Sequence, residues 1–201
     1  MILGVPVGTP LVRLFDPTTK HHQTPCSFRM NGPRKRFDHH QADPKTRDPI
    51  DNPDRGIYYS GAQYDNSLGL ACCIVELFGD TGVVDFGEWH IAMPTLSRTI
   101  QLLDLRHKGA MRAGSAIAVT ACDHQQSQPW SRYFYENPEI YTQLDGIMYP
   151  NAHNGELSLA LYERARDALD CAASPVRLDH PGLRSTVLAI MRDHSLTFDS
   201  P

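Results

Sequence analysis

Between Leu68 and Phe78 the chain reads Leu-Gly-Leu-Ala-Cys-Cys-Ile-Val-Glu-Leu-Phe, an apolar run holding one charge, Glu76. A run of this length reads as an amphipathic helix that must bury most of its surface against a core. An ionised carboxylate leaves water only at a large cost unless it is paired. Glu76 therefore has two readings: it points to solvent near the end of the helix, as most isolated glutamates do, or it is held where its charge serves chemistry.

The chain's 201 residues suit one domain with a sizeable core. A formal net charge of -4 gives no global cationic field for nucleic acid or an anionic membrane, so an anionic ligand must meet a local cluster of cations. No apolar stretch approaches the roughly 20 residues of a membrane span, and residues 1–10 lack a basic segment followed by a long apolar one. A cytoplasmic location is the expectation. The five cysteines, Cys26, Cys72, Cys73, Cys122 and Cys171, form no CxxC pair and read as reduced, buried small residues rather than a disulfide frame or a zinc site.

The pattern along the chain predicts a mixed α+β domain. Residues 12–15 read as a strand, and residues 25–53, rich in Pro, Asp, Asn, His and basic side chains, read as long irregular connections around a short Arg36-Phe37 segment. Gly-Ile-Tyr-Tyr at 56–59 has strand character, and Ser67 is a suitable N-cap for the helix that carries Glu76. Further strands are expected at 89–93, 99–105, 146–149 and 157–162, and a helix at 127–136 with Pro129 in its first turn. Beyond Asp170 the Ala-Ala-Ser-Pro stretch reads as a break. Residues 181–194 then form one more amphipathic helix, with Leu183, Val187, Ile190 and Met191 on one side.

Among the chemical motifs, HExxH, Cys/His finger spacings, the GxSxG elbow, GxGxxG and GxxxxGK[ST] are all missing. The histidine doublets at 21–22 and 39–40 would point to opposite faces of a strand, so neither readily offers two ligands to one metal. No metal is expected. A nucleotide ligand would need side-chain cations, and these are present in Arg29, Arg34, Lys35 and Arg36 and in Arg13 within the first apolar strand. Arg13 and Arg36 are each followed by an apolar residue, Leu14 and Phe37, a context that favours a fixed guanidinium able to pair bidentately with phosphate.

Taken in order, Leu-Val-Arg-Leu-Phe, the Gly-Pro-rich approach to Arg-Phe-Asp-His-His, Gly-Ile-Tyr-Tyr, the helix ending Val-Glu-Leu-Phe and the later Leu-Asp-Gly-Ile-Met-Tyr-Pro-Asn-Ala-His-Asn-Gly resemble the RES domain. The resemblance spans residues 10–170 and leaves 171–201 as a C-terminal helical extension. It implies an NAD-consuming toxin domain of bacteria, with a fold related to ADP-ribosyltransferases, neutralised by an Xre-type antitoxin. NAD is then the substrate, nucleic acid is met only through the antitoxin, no membrane is involved, and a homo-oligomer remains open.

Carried over residue by residue, Arg13 and Arg36 match the family's two arginines, Tyr58 its strand tyrosine and Glu76 its helix glutamate, with Phe37 beside Arg36 counted among the ligand contacts. Asn151 stands where the family pattern has a serine, which keeps hydrogen-bonding capacity but departs from the pattern.

The chemistry implied is cleavage of the nicotinamide-ribose bond through an oxocarbenium-like transition state. Glu76 would stabilise the developing cation, Arg13 and Arg36 would hold the diphosphate, Tyr58 would stack on nicotinamide, and Asn151 would close the pocket. Two other classes stay open: a RES-like module that binds such nucleotides without turning them over, which Asn151 favours, and a nucleic-acid-binding module using residues 29–36, which the acidic net charge opposes.

Overall fold

The computed structural model describes residues 2–65 and 68–198. An eight-stranded mixed sheet organises the molecule. Its strands are β1 (Ile2–Val5), β2 (Leu11–Phe15), β3 (Ile57–Ala62), β4 (His90–Ala92), β5 (Ile100–Asp104), β6 (Gly146–Pro150), β7 (Leu157–Tyr162) and β8 (Val176–Arg177). Their order across the sheet is β1-β5-β6-β7-β3-β2-β4-β8, and every pairing is antiparallel except β5 with β6. Helix α1 (Gly69–Phe78), helix α2 (His124–Glu136) and helix α3 (Arg184–Asp193) pack around it. The class is α+β, as the sequence pattern predicts, with a large mixed sheet flanked by helices. None of the described helices is long and apolar enough to cross a membrane.

Side chains alternate across the strands, so each sheet face has its own core. Leu11, Tyr58, Leu102, Met148, Leu159 and Leu161 share one face with Phe28. Ile57, Ile147, Tyr149, Ala160 and Tyr162 share the other with Phe37 and with Phe134 of α2. A third cluster joins Val12 and Ile91 to Ala71, Ile74 and Phe78 of α1 and to Val187, Ile190 and Met191 of α3. Residues beyond Asp170 thus supply the edge strand β8 and a helix packed on α1.

The sheet parts near its middle. Strand β2 pairs with β3 only at Leu11↔Ala62 and Val12↔Gly61, and from Arg13 onward it pairs with β4 instead. At the point of divergence the Cys73 thiol donates to the Val12 carbonyl at 3.1 Å and accepts from the Gly61 amide at 3.4 Å. Helix α1 therefore sits across the parting strands.

Packing rather than capping holds α1. The Leu68 amide donates to the Glu156 carboxylate at 2.8 Å, and no side chain caps the helix at Leu68. Ser67, the expected cap, lies outside the described residues. Six of the ten helical residues are buried, which is where a short helix obtains its stability.

Two expectations are corrected. Helix α2 starts at His124, where the Asp123 carboxylate accepts from the Gln125 amide at 2.8 Å, so Pro129 lies inside the helix and not in its first turn. Asp123 is the stronger start signal, an N-cap satisfying an otherwise free amide. Cys26 and Cys171, expected to be reduced, form a disulfide with Cα atoms 6.1 Å apart, and Cys72, Cys73 and Cys122 are free. The pair is 145 residues apart in sequence, so only the fold brings the two residues together.

Candidate functional site

Glu76 of α1 borders a cleft of about 150 Å³ whose other lining residues are Leu14, Lys35, Tyr59, Ser60, Cys72, Cys73 and Leu77. This cleft opens where β2 leaves β3. Glu76 is an exposed residue, as the solvent-facing reading expects, yet the protein on its cleft side still raises its pKa by desolvation. His153, Arg36 and Lys35 act against that rise by drawing the carboxyl toward its charged form.

The basic segment reaches this cleft because α2 holds its backbone. Along one face of α2, Gln128 donates to the Lys35 carbonyl at 3.1 Å, Ser127 to the Arg36 carbonyl at 2.6 Å and Ser131 to the Phe37 carbonyl at 2.6 Å. From the other side comes Asp38, which has no solvent exposure. Its two carboxylate oxygens accept from the Arg29 guanidinium at 2.7 and 2.8 Å, and it also accepts from the Arg34 and Lys35 amides and from the Tyr59 hydroxyl at 2.7 Å. Burial alone would raise the Asp38 pKa, but Arg29 and the two amides outweigh it and hold the carboxyl below its ordinary range. Lys35 is thereby aimed at the Glu76 cleft, and Arg36, which donates to the Cys122 carbonyl, at a neighbouring one.

That neighbouring cleft has a volume of about 630 Å³, and Arg34, Arg36, Arg47, His124 and Gln128 are among its walls. Burial, with Arg36 and Lys35 adding to it, pushes the His124 imidazole below its ordinary pKa. Among the described residues no group of three or more His, Cys, Asp or Glu side chains is arranged to hold a metal ion.

The fold divides the residues singled out from the sequence. Glu76 and Arg36 fall on the same side of the sheet, within electrostatic reach of one another. Arg13 and Tyr58 fall on the opposite face. The Arg13 guanidinium lies 4.5 Å over the Tyr58 ring and donates to the Ser27 carbonyl at 2.6 Å and to Gln23 at 3.2 Å. The Tyr58 hydroxyl donates to the Pro25 carbonyl at 2.9 Å, and burial raises its pKa to about 12. Tyr58 therefore does not line the Glu76 cleft, and its neighbour Tyr59 does.

Phe37 is wholly buried, with its ring 4.5 Å from that of Tyr149, and is a core residue rather than a ligand contact. Asn151 is also buried, and its amide is engaged at both ends. The NH₂ donates to the Cys72 carbonyl at 3.2 Å, and the oxygen accepts from the His153 amide at 2.7 Å. It ties the turn after β6 to α1, and so positions the helix instead of closing a pocket.

A signal for Tyr59 was present in the sequence. Gly61, two residues on and thus on the same face, is the strand position without a side chain, and it is there that a helix can approach closely. The clamp from Ser127, Gln128 and Ser131, and the role of Asp38, had no local signature.

No protein-family model matches the chain, and no solved structure matches it. The chain is 32% identical over 116 residues to the "Probable toxin y4kH" of Sinorhizobium fredii (strain NBRC 101917 / NGR234), an alignment that takes in 57% of this chain and 87% of that protein. At this identity, over nearly the full length of the relative, the chain belongs to the same family as that probable toxin.

Proposed function

We propose that this protein is a toxin of the RES type that breaks the nicotinamide-ribose bond of NAD, with Glu76 as the catalytic carboxylate. The observation that carries the reading is the placement of Glu76, the single acidic side chain lining the cleft at the parting of β2 and β3, with Lys35 and Tyr59 beside it. At about 150 Å³ the cleft is sized for one flat heteroaromatic ring, so the sugar and the rest of a dinucleotide would run along the Arg36 side.

In bond cleavage the electron pair of the C–N bond leaves with the pyridine nitrogen, nicotinamide departs neutral, and positive charge develops on the ribose. Ionised Glu76 stabilises that charge and orients the water, phosphate or protein nucleophile that completes the reaction. Tyr59, fixed by its bond to Asp38, offers a partly exposed ring as one wall for the pyridinium. Arg36 orients the diphosphate. The family's toxin relative supports a neutralising antitoxin as partner, for which an Xre-type protein is the candidate.

Purified protein incubated with NAD should release nicotinamide, and Glu76→Gln should lose at least about 100-fold of that rate while keeping its melting temperature. Equal rates in the two proteins would remove Glu76 from the reaction. The engagement of the Asn151 amide at both ends favours one second reading, a module that binds the nucleotide without turnover. NAD binding by both proteins with no nicotinamide released would select it.

A further inference from the structure

Most of the strongly held arginines in this chain face a carboxylate. Arg29, Arg55, Arg98, Arg106 and Arg177 each lie 2.6 to 2.9 Å from an Asp or Glu oxygen. The larger cleft departs from that habit. Arg34, Arg36 and Arg47 converge on it, and none of the three has a carboxylate ion-pair partner among the described residues. Arg34 directs Nε and one terminal nitrogen at the neutral Asn31 side-chain oxygen, at 2.9 and 2.7 Å, and Arg36 donates to the Cys122 carbonyl. These contacts fix the two guanidiniums without neutralising them.

Arg47 is exposed, and it is its backbone that is held. It has a left-handed backbone, with φ of 67°, inside a closed turn where the Asp43 carboxylate accepts from the Lys45 and Thr46 amides and the Asp43 carbonyl accepts from the Arg47 amide. A non-glycine residue in that conformation persists only where its surroundings impose it, and such positions concentrate at ligand sites. The walls carry three guanidiniums against one carboxylate, Asp123, an excess of two positive charges in a chain whose net charge is -4. Asp123 itself is occupied with the Gln125 amide.

We propose that Arg34 and Arg47 join Arg36 in a binding site for the diphosphate of a nucleotide, in the cleft beside the one that holds Glu76. A diphosphate bridge carries about two negative charges, one for each phosphate, which matches the excess. Planar guanidiniums grip phosphate oxygens in pairs. The Lys35-Arg36 step divides the two clefts, so one extended ligand reaches both. This inference rests on the reading of the Glu76 cleft for the identity of the nucleotide as NAD, and on the arginines alone for the diphosphate.

The test is calorimetric titration of ADP and of inorganic pyrophosphate into the wild type, Arg47→Ala and, as a control for general charge, Arg192→Ala on the exposed side of α3. Arg47→Ala should weaken both ligands by about tenfold, as loss of one charged hydrogen-bonding pair does, and Arg192→Ala should leave both unchanged. In parallel, KM for nicotinamide release from NAD should rise by about tenfold in Arg47→Ala. Equal ADP affinity in wild type and Arg47→Ala, or ADP binding without any pyrophosphate binding, overturns the site. Arg47-dependent binding of both ligands by a protein that releases no nicotinamide upholds the site and overturns the Glu76 reading instead.

Discussion

Gly61 in β3 and Gly69 in α1 meet so closely that a Cβ at position 61 would lie 2.3 Å from the Gly69 carbonyl oxygen. This contact sets the height of α1 above the sheet, and with it the depth of the cleft that Glu76 borders. Gly61→Ala must push the helix outward, because the obstacle is backbone and cannot rotate away. We expect a stability loss of about 2 to 3 kcal/mol by chemical denaturation. Nicotinamide release should fall further than in Val187→Ala, which weakens the α1 and α3 packing from a buried position away from the cleft.

The raised pKa of Glu76 has a kinetic consequence. If its ionised form stabilises the cation, the rate must climb as pH rises through the Glu76 pKa and vanish below it. Desolvation raises that pKa, so the acid limb of the kcat profile should lie above the ordinary carboxylate midpoint of about 4.3. Removing a nearby cation should move the limb further up, and Lys35→Met is the variant to measure. A limb unmoved by that change would separate Glu76 from the titrating group.

Asp38 carries the basic segment. Asp38→Asn keeps the shape but cannot accept from Arg29 and the Arg34 and Lys35 amides at once. Leaving a partly buried guanidinium without its counter-charge should cost about 3 to 5 kcal/mol, read as a lower denaturation midpoint. Nucleotide binding should weaken as well, since Lys35 and Arg36 lose one of the two supports of their backbone.

Stability should also decline on mild acidification. Burial lowers the His40 pKa from 6.5 to about 4, with Asp38 opposing the shift, and burial lowers His39 likewise. A depressed folded pKa means that the unfolded chain takes up the proton first. The stability is therefore complete above about pH 6.5 and is lost as pH falls toward 4, by an amount on the order of 3 kcal/mol for His40. Melting temperatures measured across that interval should drop, and His40→Gln should flatten the slope.

Local patterns in the sequence were enough for several elements. The alternation at 157–162 and the apolar run at 69–78 correspond to β7 and α1, and the single charge of that run marks the cleft. Periodicity carries this much because a strand repeats every two residues and a helix every 3.6. It also requires Tyr58 and Tyr59 to face opposite ways.

Which face receives the helix is a different matter, decided by the Gly61-Gly69 approach and by the departure of β2 from β3. Tertiary structure alone turned Arg13 and Tyr58 away from Glu76, committed Asn151 to the Cys72 carbonyl, joined Cys26 to Cys171 and clamped residues 35–37 along α2. Each of these depends on contacts between segments far apart in the chain. A residue's type sets what it can bond, and the packing of distant surfaces sets which partner it meets.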